Sequence, residues 1–355
     1  MYDLYLVEVI HMLFSILFAC SSLSDNSEQL EQQAAQELAE MQALEQQHLS
    51  ESQQEARDLS KSLFGFNPVA SLDSNDATLE KVSLGNQLYH DKRLSVNQTQ
   101  SCASCHPVEN WGVDGLRVSK GALGREVERN SPSTFNSWSH VAQFWDGRAP
   151  DLAEQAKGPI LAAGEMGMPS ESAVVKVLSL DKRYEIAFGK LYEDGLTFNN
   201  VADAIALYES TLVTSDRFDD WMRGDDVLSE QEARGLDSFV SYGCVGCHSG
   251  PLFGGRSFQK LGVVAPYRPD GDETHVDLGR YGVTGQVSDQ EVFKVPSLRN
   301  VGLTGPWFHD GRVETLEEAV RLMGRLQLGR EFNDEQVSDL VAFLKVLDAQ
   351  SKKEE

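Results

Sequence analysis

The sequence predicts an all-α, loop-rich protein made of two related halves. Amphipathic patterns with helical spacing recur at residues 79–90, 171–188, 201–213, 230–241, 315–323 and 334–347, whereas alternating strand patterns are scarce. Several short sequence blocks from the first half return in the second half in the same order. Such internal repetition indicates two related domains.

The composition excludes several classes of protein. The chain has 355 residues, of which 41% are hydrophobic, and a formal net charge of −24. This apolar content is enough to build cores for two domains, so the chain is not wholly disordered. Nucleic acid is excluded as a partner, and so are anionic lipid surfaces, because both repel a strongly acidic protein. A cationic partner is expected instead.

Residues 1–20 are predicted to be a targeting signal. Met12–Ala19 is an apolar run too short to span a bilayer. Leu17-Phe18-Ala19-Cys20 is similar to a bacterial lipoprotein cleavage box, in which Cys20 would carry a lipid anchor. Residues 1–11 contain acidic side chains and no Lys or Arg, unlike such signals, so translation from Met12 and an apolar stub with an idle cysteine stay open.

Residues 21–75 are expected to form a tether. Gln, Glu, Ser and Ala dominate this segment, so it cannot bury a core of its own. A thin apolar stripe beginning at Leu30 has helical spacing, which allows a solvated or weakly coiled helix. A mobile acidic tail is the alternative. Two globular domains follow, at residues 76–225 and 226–355.

Two C-x-x-C-H motifs carry the chemistry. They are Cys102-Ala103-Ser104-Cys105-His106 and, 142 residues later, Cys244-Val245-Gly246-Cys247-His248. Two thiols one turn apart can each add to a porphyrin vinyl group, and the adjacent histidine then faces the iron. A thioredoxin-like pair or half a zinc site are the alternatives, but zinc needs further closing ligands. We therefore predict two covalent haems, assembled outside the reducing cytoplasm.

Two further blocks recur with a common offset of 164 residues. Pro132–Asn136 returns as Pro296–Asn300, and Phe144–Arg148 returns as Phe308–Arg312. Each D-G-R sequence in these blocks is followed by a similar helical run. Near the end of the chain, Asn333-Asp334 precedes an apolar periodic pattern and is typical of a helix N-terminus.

The group on the opposite face of each iron decides the function. A sixth protein ligand favours electron transfer, whereas an open position favours peroxide or ligand chemistry. The globular part offers four methionines as thioether ligands: Met166, Met168, Met222 and Met323. Met323 lies 75 residues after His248 and precedes Gly324. Its position alone leaves a ligand and a core residue as equal interpretations.

The order of motifs resembles bacterial di-haem cytochrome c peroxidases, a branch of the MauG-like superfamily. The resemblance covers residues 76–350 and includes C-A-S-C-H, Q-F-W-D-G-R, G-E-M, C-V-G-C-H-S-G-P, K-V-P-S-L-R-N and F-H-D-G-R. It implies two cytochrome-c-like haem domains. The N-terminal haem would react with peroxide, and the C-terminal haem, with His and Met ligands, would receive electrons.

The same resemblance implies roles for single residues. Met323 matches the axial methionine, and Trp145 matches a tryptophan between the haems, with plain packing as its alternative. Glu165 and Gln155 match the distal glutamate and glutamine, where a carboxylate can move a proton between peroxide oxygens. Positions that hold a calcium ion between the domains match three further residues: Asn130, Thr304 and Pro306.

One position departs from the family pattern. Many members place an iron-binding histidine sixteen residues after the first haem histidine, but that position here is Ala122. Alanine cannot bind iron, so the first iron is expected to stay open. His140 is the next histidine after position 122 and could bind the iron instead, although the role of an ordinary packing histidine is favoured.

The resemblance leads to a periplasmic peroxidase. It would reduce hydrogen peroxide with electrons from small c-type cytochromes or cupredoxins, and a homodimer is compatible with the sequence. A MauG-like oxidase that modifies a partner protein is one alternative, but that branch uses a tyrosine where this chain offers Met323. A di-haem cytochrome that only transfers electrons is the other.

Overall fold

The computed structural model describes residues 27–68, 75–268 and 276–350. The chain divides into two compact units, residues 1–59 and 60–355. In the described ranges, no helix is both long and apolar enough to cross a membrane. Cys20 and the predicted targeting signal lie outside the described residues.

Helices make up most of the regular structure. The helices are α1 (Ser27–Leu63), α2 (Asp76–Tyr89), α3 (Cys102–Cys105), α4 (Leu152–Leu161), α5 (Glu171–Ser179), α6 (Lys182–Leu191), α7 (Phe198–Glu209), α8 (Arg217–Arg223), α9 (Glu230–Ser241), α10 (Tyr281–Thr284), α11 (Leu316–Met323) and α12 (Asp334–Val346). Two short strands, β1 (Phe258–Lys260) and β2 (Val292–Lys294), pair antiparallel with Phe258 opposite Lys294. The mainly helical class predicted from the sequence is confirmed.

The periodic pattern at residues 171–188 is divided between two helices instead of one. Helix α5 ends at Ser179 and α6 begins at Lys182. Asp181 causes the break, because its carboxylate accepts the backbone N–H of Arg183 as an N-cap. The same side chain also pairs with Arg93 at 3.1 Å. Hydrophobic spacing alone does not reveal such a cap between two short helices.

Helix α7 is the centre of packing in the first half. It contacts α2 on one side and α4 on another. The α2 crossing occurs at Gly85, where an added Cβ would lie 1.8 Å from the carbonyl oxygen of Ala204. Buried side chains such as Ile160 and Ile205 fill the space between these helices. This cluster forms the floor beside the first C-x-x-C-H motif, since Cys102 packs against it.

Helix α12 is the centre of packing among the later helices. It contacts α9 and α11. The α9 crossing is again at a glycine, because a Cβ added at Gly235 would lie 2.0 Å from the carbonyl oxygen of Asp339. Phe239 and Phe343 meet between the two helices with ring centroids 5.4 Å apart. Close backbone approach at one glycine therefore fixes the main helix pair of each half.

The expected N-terminal tether contains a single helix of 37 residues, α1. Its exposed surface is stabilised by Gln-to-acid pairs four residues apart, such as Gln36 with Glu40 at 3.1 Å. The end of the helix differs, because Ser60 in its last turn and Phe64 directly after it are each only 2% exposed. These two residues belong to the larger compact unit.

Candidate functional site

The first C-x-x-C-H motif forms one helical turn, α3, that ends directly before His106. His106 donates its Nδ1 proton to the carbonyl oxygen of Gly112 at 3.0 Å. This bond selects the tautomer whose Nε2 lone pair is available to a metal. Burial lowers the pKa of His106, which also favours the neutral ring. The hydroxyl of Tyr89 donates to the His106 carbonyl at 2.6 Å and fixes the backbone.

The second motif repeats this arrangement with a different partner. His248 donates its Nδ1 proton to the carbonyl oxygen of Phe253 at 2.9 Å, and burial lowers its pKa. Phe253 has a positive φ of 49°, which is uncommon for a bulky residue. Packing around its ring must therefore stabilise this backbone conformation, in which the carbonyl faces His248. Phe64 stacks on that ring with centroids 3.8 Å apart and planes 10° apart. Sequence reasoning missed Phe64, because its partner lies 189 positions further along the chain.

A cavity of about 280 Å³ opens beside the second motif. Cys244, Cys247 and His248 line one part of it, and Met323 lines it as well. Met323 is the last residue of α11, and a π-turn at Gly324–Leu328 follows. A Cβ added at Gly324 would lie 2.6 Å from the Phe332 ring, so this ring packs directly against the glycine backbone.

The residues present fit covalent haem. All four motif cysteines are free thiols, and burial raises their pKa values, that of Cys244 to about 11. No cluster of three or more His, Cys, Asp or Glu that could hold a metal is found in the part of the chain that the structure describes. The described residues thus supply no closing ligands for a zinc site at either motif. The thiols are available for thioether bonds and each histidine presents Nε2.

Trp145 lines the same cavity as the second motif. Its indole Nε1–H donates to the carbonyl oxygen of Asn130 at 2.9 Å, and its own carbonyl accepts the N–H of Lys294 at 2.8 Å. Both ends of the residue are thus fixed, one by the loop before it and one by β2. The ring contacts His309 with centroids 6.4 Å apart.

Glu165 lies near the first motif. Burial is the main cause that raises the pKa of Cys102 and Cys105, and nearby carboxylates add to it, Glu209 for Cys102 and Glu165 for both thiols. Burial raises the pKa of Glu165 itself, and the charge of Arg148 opposes part of that rise. The residue follows α4 by four positions, so the helix after the first D-G-R sequence delivers it to this place.

The turn that contains Ala122 is attached directly to the Glu165 loop. Ala122 donates its backbone N–H to the Glu165 carbonyl oxygen at 2.7 Å, and its own carbonyl accepts from the Asn97 side chain. A Cβ added at Gly121 would lie 2.0 Å from the Gly164 carbonyl oxygen. The two loops therefore meet backbone to backbone, and glycine at 121 is required for that approach.

Gln155 lies in the first turns of α4, where its backbone N–H donates to the backbone carbonyl oxygen of Asp151 at 3.0 Å. It shares this helix and its following loop with Glu165. Its expected distal role stays a prediction.

The three residues predicted to hold calcium lie along the cavity of the second motif: Asn130, Thr304 and Pro306. The Asn130 amide nitrogen donates to the carbonyls of Leu116 and Arg117, at 3.0 and 3.3 Å. Thr304 donates its hydroxyl to the Asn300 carbonyl at 3.0 Å. The calcium assignment stays a prediction.

His140 packs against Lys294 in the same cavity. The His140 Nδ1 lies 3.0 Å from the Lys294 Nζ, and its Nε2 is buried without a hydrogen-bond partner among the described residues. Burial and the Lys294 charge hold the pKa of His140 well below its usual value, while burial lowers the pKa of Lys294 to about 7. The interpretation of His140 as an ordinary packing histidine stays a prediction.

Comparisons with known proteins agree with these motifs. The family model for di-haem cytochrome c peroxidases matches residues 79–227. A cytochrome c551 peroxidase of Nitrosomonas europaea is 44% identical over 283 residues, which cover 79% of this chain and 83% of that protein. The cytochrome c peroxidase Ccp of Escherichia coli is 45% identical over 267 residues, which cover 75% of this chain and 57% of that protein.

A solved structure shares the fold. The crystal structure of a MauG-like protein associated with microbial copper homeostasis matches with a TM-score of 0.68 and 29% identity. The match covers 80% of this chain and 91% of that chain.

Proposed function

The chain belongs to the di-haem cytochrome c peroxidase family, and from that premise we propose that it reduces hydrogen peroxide to water at the first C-x-x-C-H centre. The family prediction made from the order of motifs is confirmed, and the chain is a haem-dependent peroxidase that uses two c-type haems. When bound, the haem irons supply the redox chemistry. The residues around them control access, proton movement and electron supply.

One difference between the two centres carries the proposal. The second centre has a methionine thioether in its cavity, whereas the charges of two carboxyl groups, Glu209 and Glu165, act on the thiols of the first. A thioether is a suitable sixth ligand for electron transfer, and a carboxyl group suits proton chemistry. We assign peroxide reduction to the centre of His106 and electron supply to the centre of His248 and Met323.

Glu165 acts as the proton-transferring group. Its carboxylate takes the proton from one peroxide oxygen and gives it to the other, so that water leaves. Burial favours this role, because it raises the pKa toward the working pH of a general acid and base. Gln155, on the preceding helix, orients the peroxide. Trp145 relays single electrons from the second centre.

The two centres derive from one repeated haem-binding unit. Support comes from the backbone, since unusual positive-φ residues recur with the sequence offset of 164: Asn136 and Asn300, at 61° and 64°, and Phe144 and Phe308, at 66° and 67°. Isolated antiparallel bridges recur with the same offset, at Gln143 with Ala149 and at Trp307 with Val313. Shared backbone conformation at matched positions is expected from a duplication. We place the domains at residues 76–225 and 226–355.

The electron donor is a small c-type cytochrome or cupredoxin with a basic docking face. The charge of −24 supports this choice, because opposite charges accelerate encounter between redox partners. Such donors and covalent haem assembly both belong to the periplasm, where a lipid on Cys20 would hold the protein at the membrane. A homodimer is compatible with this arrangement.

A calcium ion held by Asn130, Thr304 and Pro306 would stabilise the region between the centres. Support comes from their common cavity and from their oxygen atoms, which hard cations prefer. In addition, the Asn130 amide nitrogen is already used by two carbonyls, which directs Oδ1 away from them. Chelation of the holoenzyme should lower peroxidase turnover, and added calcium should restore it.

The proposed function is tested by mixing the two-haem holoenzyme with peroxide and a ferrous small cytochrome. Two cytochromes should be oxidised for each peroxide consumed. A His106→Ala variant should lose this turnover while the second haem keeps its spectrum and potential. Full turnover in that variant would contradict the assignment of peroxide chemistry to the first centre.

A MauG-like oxidation of a partner protein is the second candidate, favoured by Ala122, which stands where many members of the family have an iron-binding histidine. This second candidate predicts that peroxide is consumed without cytochrome oxidation. It also predicts that the absorbance spectrum of the second haem is that of a tyrosine-ligated iron. A carrier without enzymatic activity predicts two six-coordinate haems and no peroxide turnover.

A further inference from the structure

We propose that Tyr267 is a redox-active residue that returns one electron to the peroxide-oxidised enzyme through His309 and Trp145. This inference rests on the proposed function, since peroxide bound at the first centre supplies the oxidising equivalent. Tyr267 lies outside both C-x-x-C-H motifs and outside the groups that bind peroxide. Its role is to protect the protein when no electron donor is docked.

The path consists of aromatic rings in succession. The Trp145 and His309 ring centroids are 6.4 Å apart, and those of His309 and Tyr267 are 5.9 Å apart. His309 is only 7% exposed and stacks on Phe293 with centroids 4.3 Å apart, which fixes its ring. Each step is short enough for rapid electron transfer between side chains.

Trp145 is the inner end of the path, because it lines the cavity of His248 and Met323. Its indole N–H donates to a backbone carbonyl, the Asn130 oxygen, at 2.9 Å. A carbonyl is a weak base and cannot take the indole proton. An oxidised Trp145 therefore keeps its proton and stays a strong oxidant, so it draws an electron from a neighbour that can release a proton.

Tyr267 is such a neighbour. Its hydroxyl donates to both carboxylate oxygens of Asp310, at 3.1 and 3.2 Å. Burial and the Asp310 charge raise the pKa of Tyr267, so the phenol keeps its proton until it is oxidised. The ring is held by a stacked contact with Phe308, with centroids 5.2 Å apart. Proton acceptor and fixed ring are thus both in place.

The step balances as one electron and one proton. The electron passes from the Tyr267 ring through His309 to oxidised Trp145, which becomes the neutral indole again. The O–H bond of Tyr267 breaks, and its proton goes to the Asp310 carboxylate. The products are a neutral tyrosyl radical and a protonated Asp310, and one of the two oxidising equivalents of peroxide has been consumed.

The test uses the ferric two-haem holoenzyme, mixed with one equivalent of peroxide without donor and frozen for EPR. The expected result is a tyrosyl radical that narrows when ring-deuterated tyrosine is incorporated. Tyr267→Phe should lose this signal, and Asp310→Asn should delay its appearance. Tyr184→Phe is the matched control, because Tyr184 also donates to an aspartate, Asp91, at 2.7 Å but has no ring contact with Trp145 among the described residues.

Haem absorbance, recorded in the same samples, separates the possible failures. A haem change with peroxide but no tyrosyl radical would overturn this inference and leave the proposed function intact. An unchanged radical in Tyr267→Phe would overturn it as well. Absence of a haem reaction in the ferric enzyme would overturn this inference, and absence of a reaction after reduction of the second haem as well would overturn the proposed function. Loss of the radical in Tyr267→Phe but not in Tyr184→Phe would support the path.

Discussion

Among single residues, Glu165 has the strongest predicted effect on turnover. Replacing it by Gln keeps its size and removes the proton-transferring group, so peroxide turnover should fall by roughly a hundredfold or more. Both haems should stay attached, because the side chain contributes no thioether or iron ligand. Steady-state rates with a ferrous cytochrome and pyridine haemochrome spectra measure the two quantities. Undiminished turnover with intact haems would remove Glu165 from the mechanism.

The pH profile gives a second measurement of the same residue. Glu165 must be a carboxylate to accept the peroxide proton, and burial raises its pKa above the ordinary value of 4.5. Turnover of the natural enzyme should therefore decrease as pH falls through that raised pKa. The low residual turnover of Glu165→Gln should not show this decrease at acid pH.

Met323 is predicted to set the properties of the second haem. Met323→Leu keeps the volume of the side chain and removes the thioether, so the haem should lose its low-spin spectrum and its high potential. Met168→Leu is the matched control, because Met168 is buried in the core cluster of the first half. Redox titration of both holoproteins compares them. If Met323→Leu kept the natural potential, the sixth ligand would have to be another group.

The sequence predicted the functional residues that belong to short local motifs. The two C-x-x-C-H sequences are such cases, because the two cysteines and the histidine of each motif lie within five consecutive positions. Phe64 and Tyr267 were missed, since their importance depends on Phe253 and Asp310, which lie far away in the chain. A long-range ring contact leaves no periodic signal in the sequence.

At the scale of elements, helices with a continuous apolar stripe were predicted closely. Helix α9 spans the predicted residues 230–241, and α12 spans Asp334–Val346 against a prediction of 334–347. Prediction was weaker where capping competes with periodicity, as at Asp181 between α5 and α6. The attachment of one loop to another, as between Gly121 and Gly164, was not predictable, because backbone contacts carry no side-chain signature.

That loop contact predicts the effect of a glycine substitution. Gly121→Ala would place a methyl group 2.0 Å from the Gly164 carbonyl, so the turn must move and the Glu165 loop with it. Since catalysis tolerates little misplacement, turnover should fall by as much as roughly a hundredfold. Gly164→Ala is the control in the facing loop, where an added Cβ meets no atom within 4 Å. Similar turnover in the two variants would show that the contact does not position Glu165.

The same turn determines whether the first iron is blocked in the oxidised enzyme. Ala122 offers no ligand, and its N–H is used by the Glu165 carbonyl. We expect the fully ferric holoenzyme to react with peroxide without prior reduction of the second haem, as stopped-flow absorbance can test. Ala122→His should make reductive activation necessary, because an imidazole could then stabilise a closed state. A low-spin bis-histidine first haem in the natural protein would contradict this prediction.

At the scale of the whole molecule, the N-terminal segment is divided between the two compact units. Residues up to Leu59 belong to the first unit, whereas Ser60 and Phe64 are buried in the second. Phe64 packs against three rings of the larger unit, those of Phe218, Phe239 and Phe253. The end of α1 is therefore part of the haem-binding core, although its composition resembles that of the exposed segment before it.

This division predicts opposite outcomes for two changes only a few residues apart. A chain that begins at Ser60 keeps Phe64, so its holoprotein should melt at nearly the natural temperature. Phe64→Ala in the full chain should lower the free energy of unfolding by about 3–5 kcal/mol, because it leaves a cavity among buried rings. It should also shift the potential of the second haem, since Phe64 supports the Phe253 carbonyl that accepts the His248 proton. Thermal melting and redox titration of the two holoproteins measure these effects. An unstable shortened chain would show that residues before Ser60 also stabilise the larger unit. A Phe64→Ala variant with natural stability and potential would show that the second haem site does not depend on Phe64.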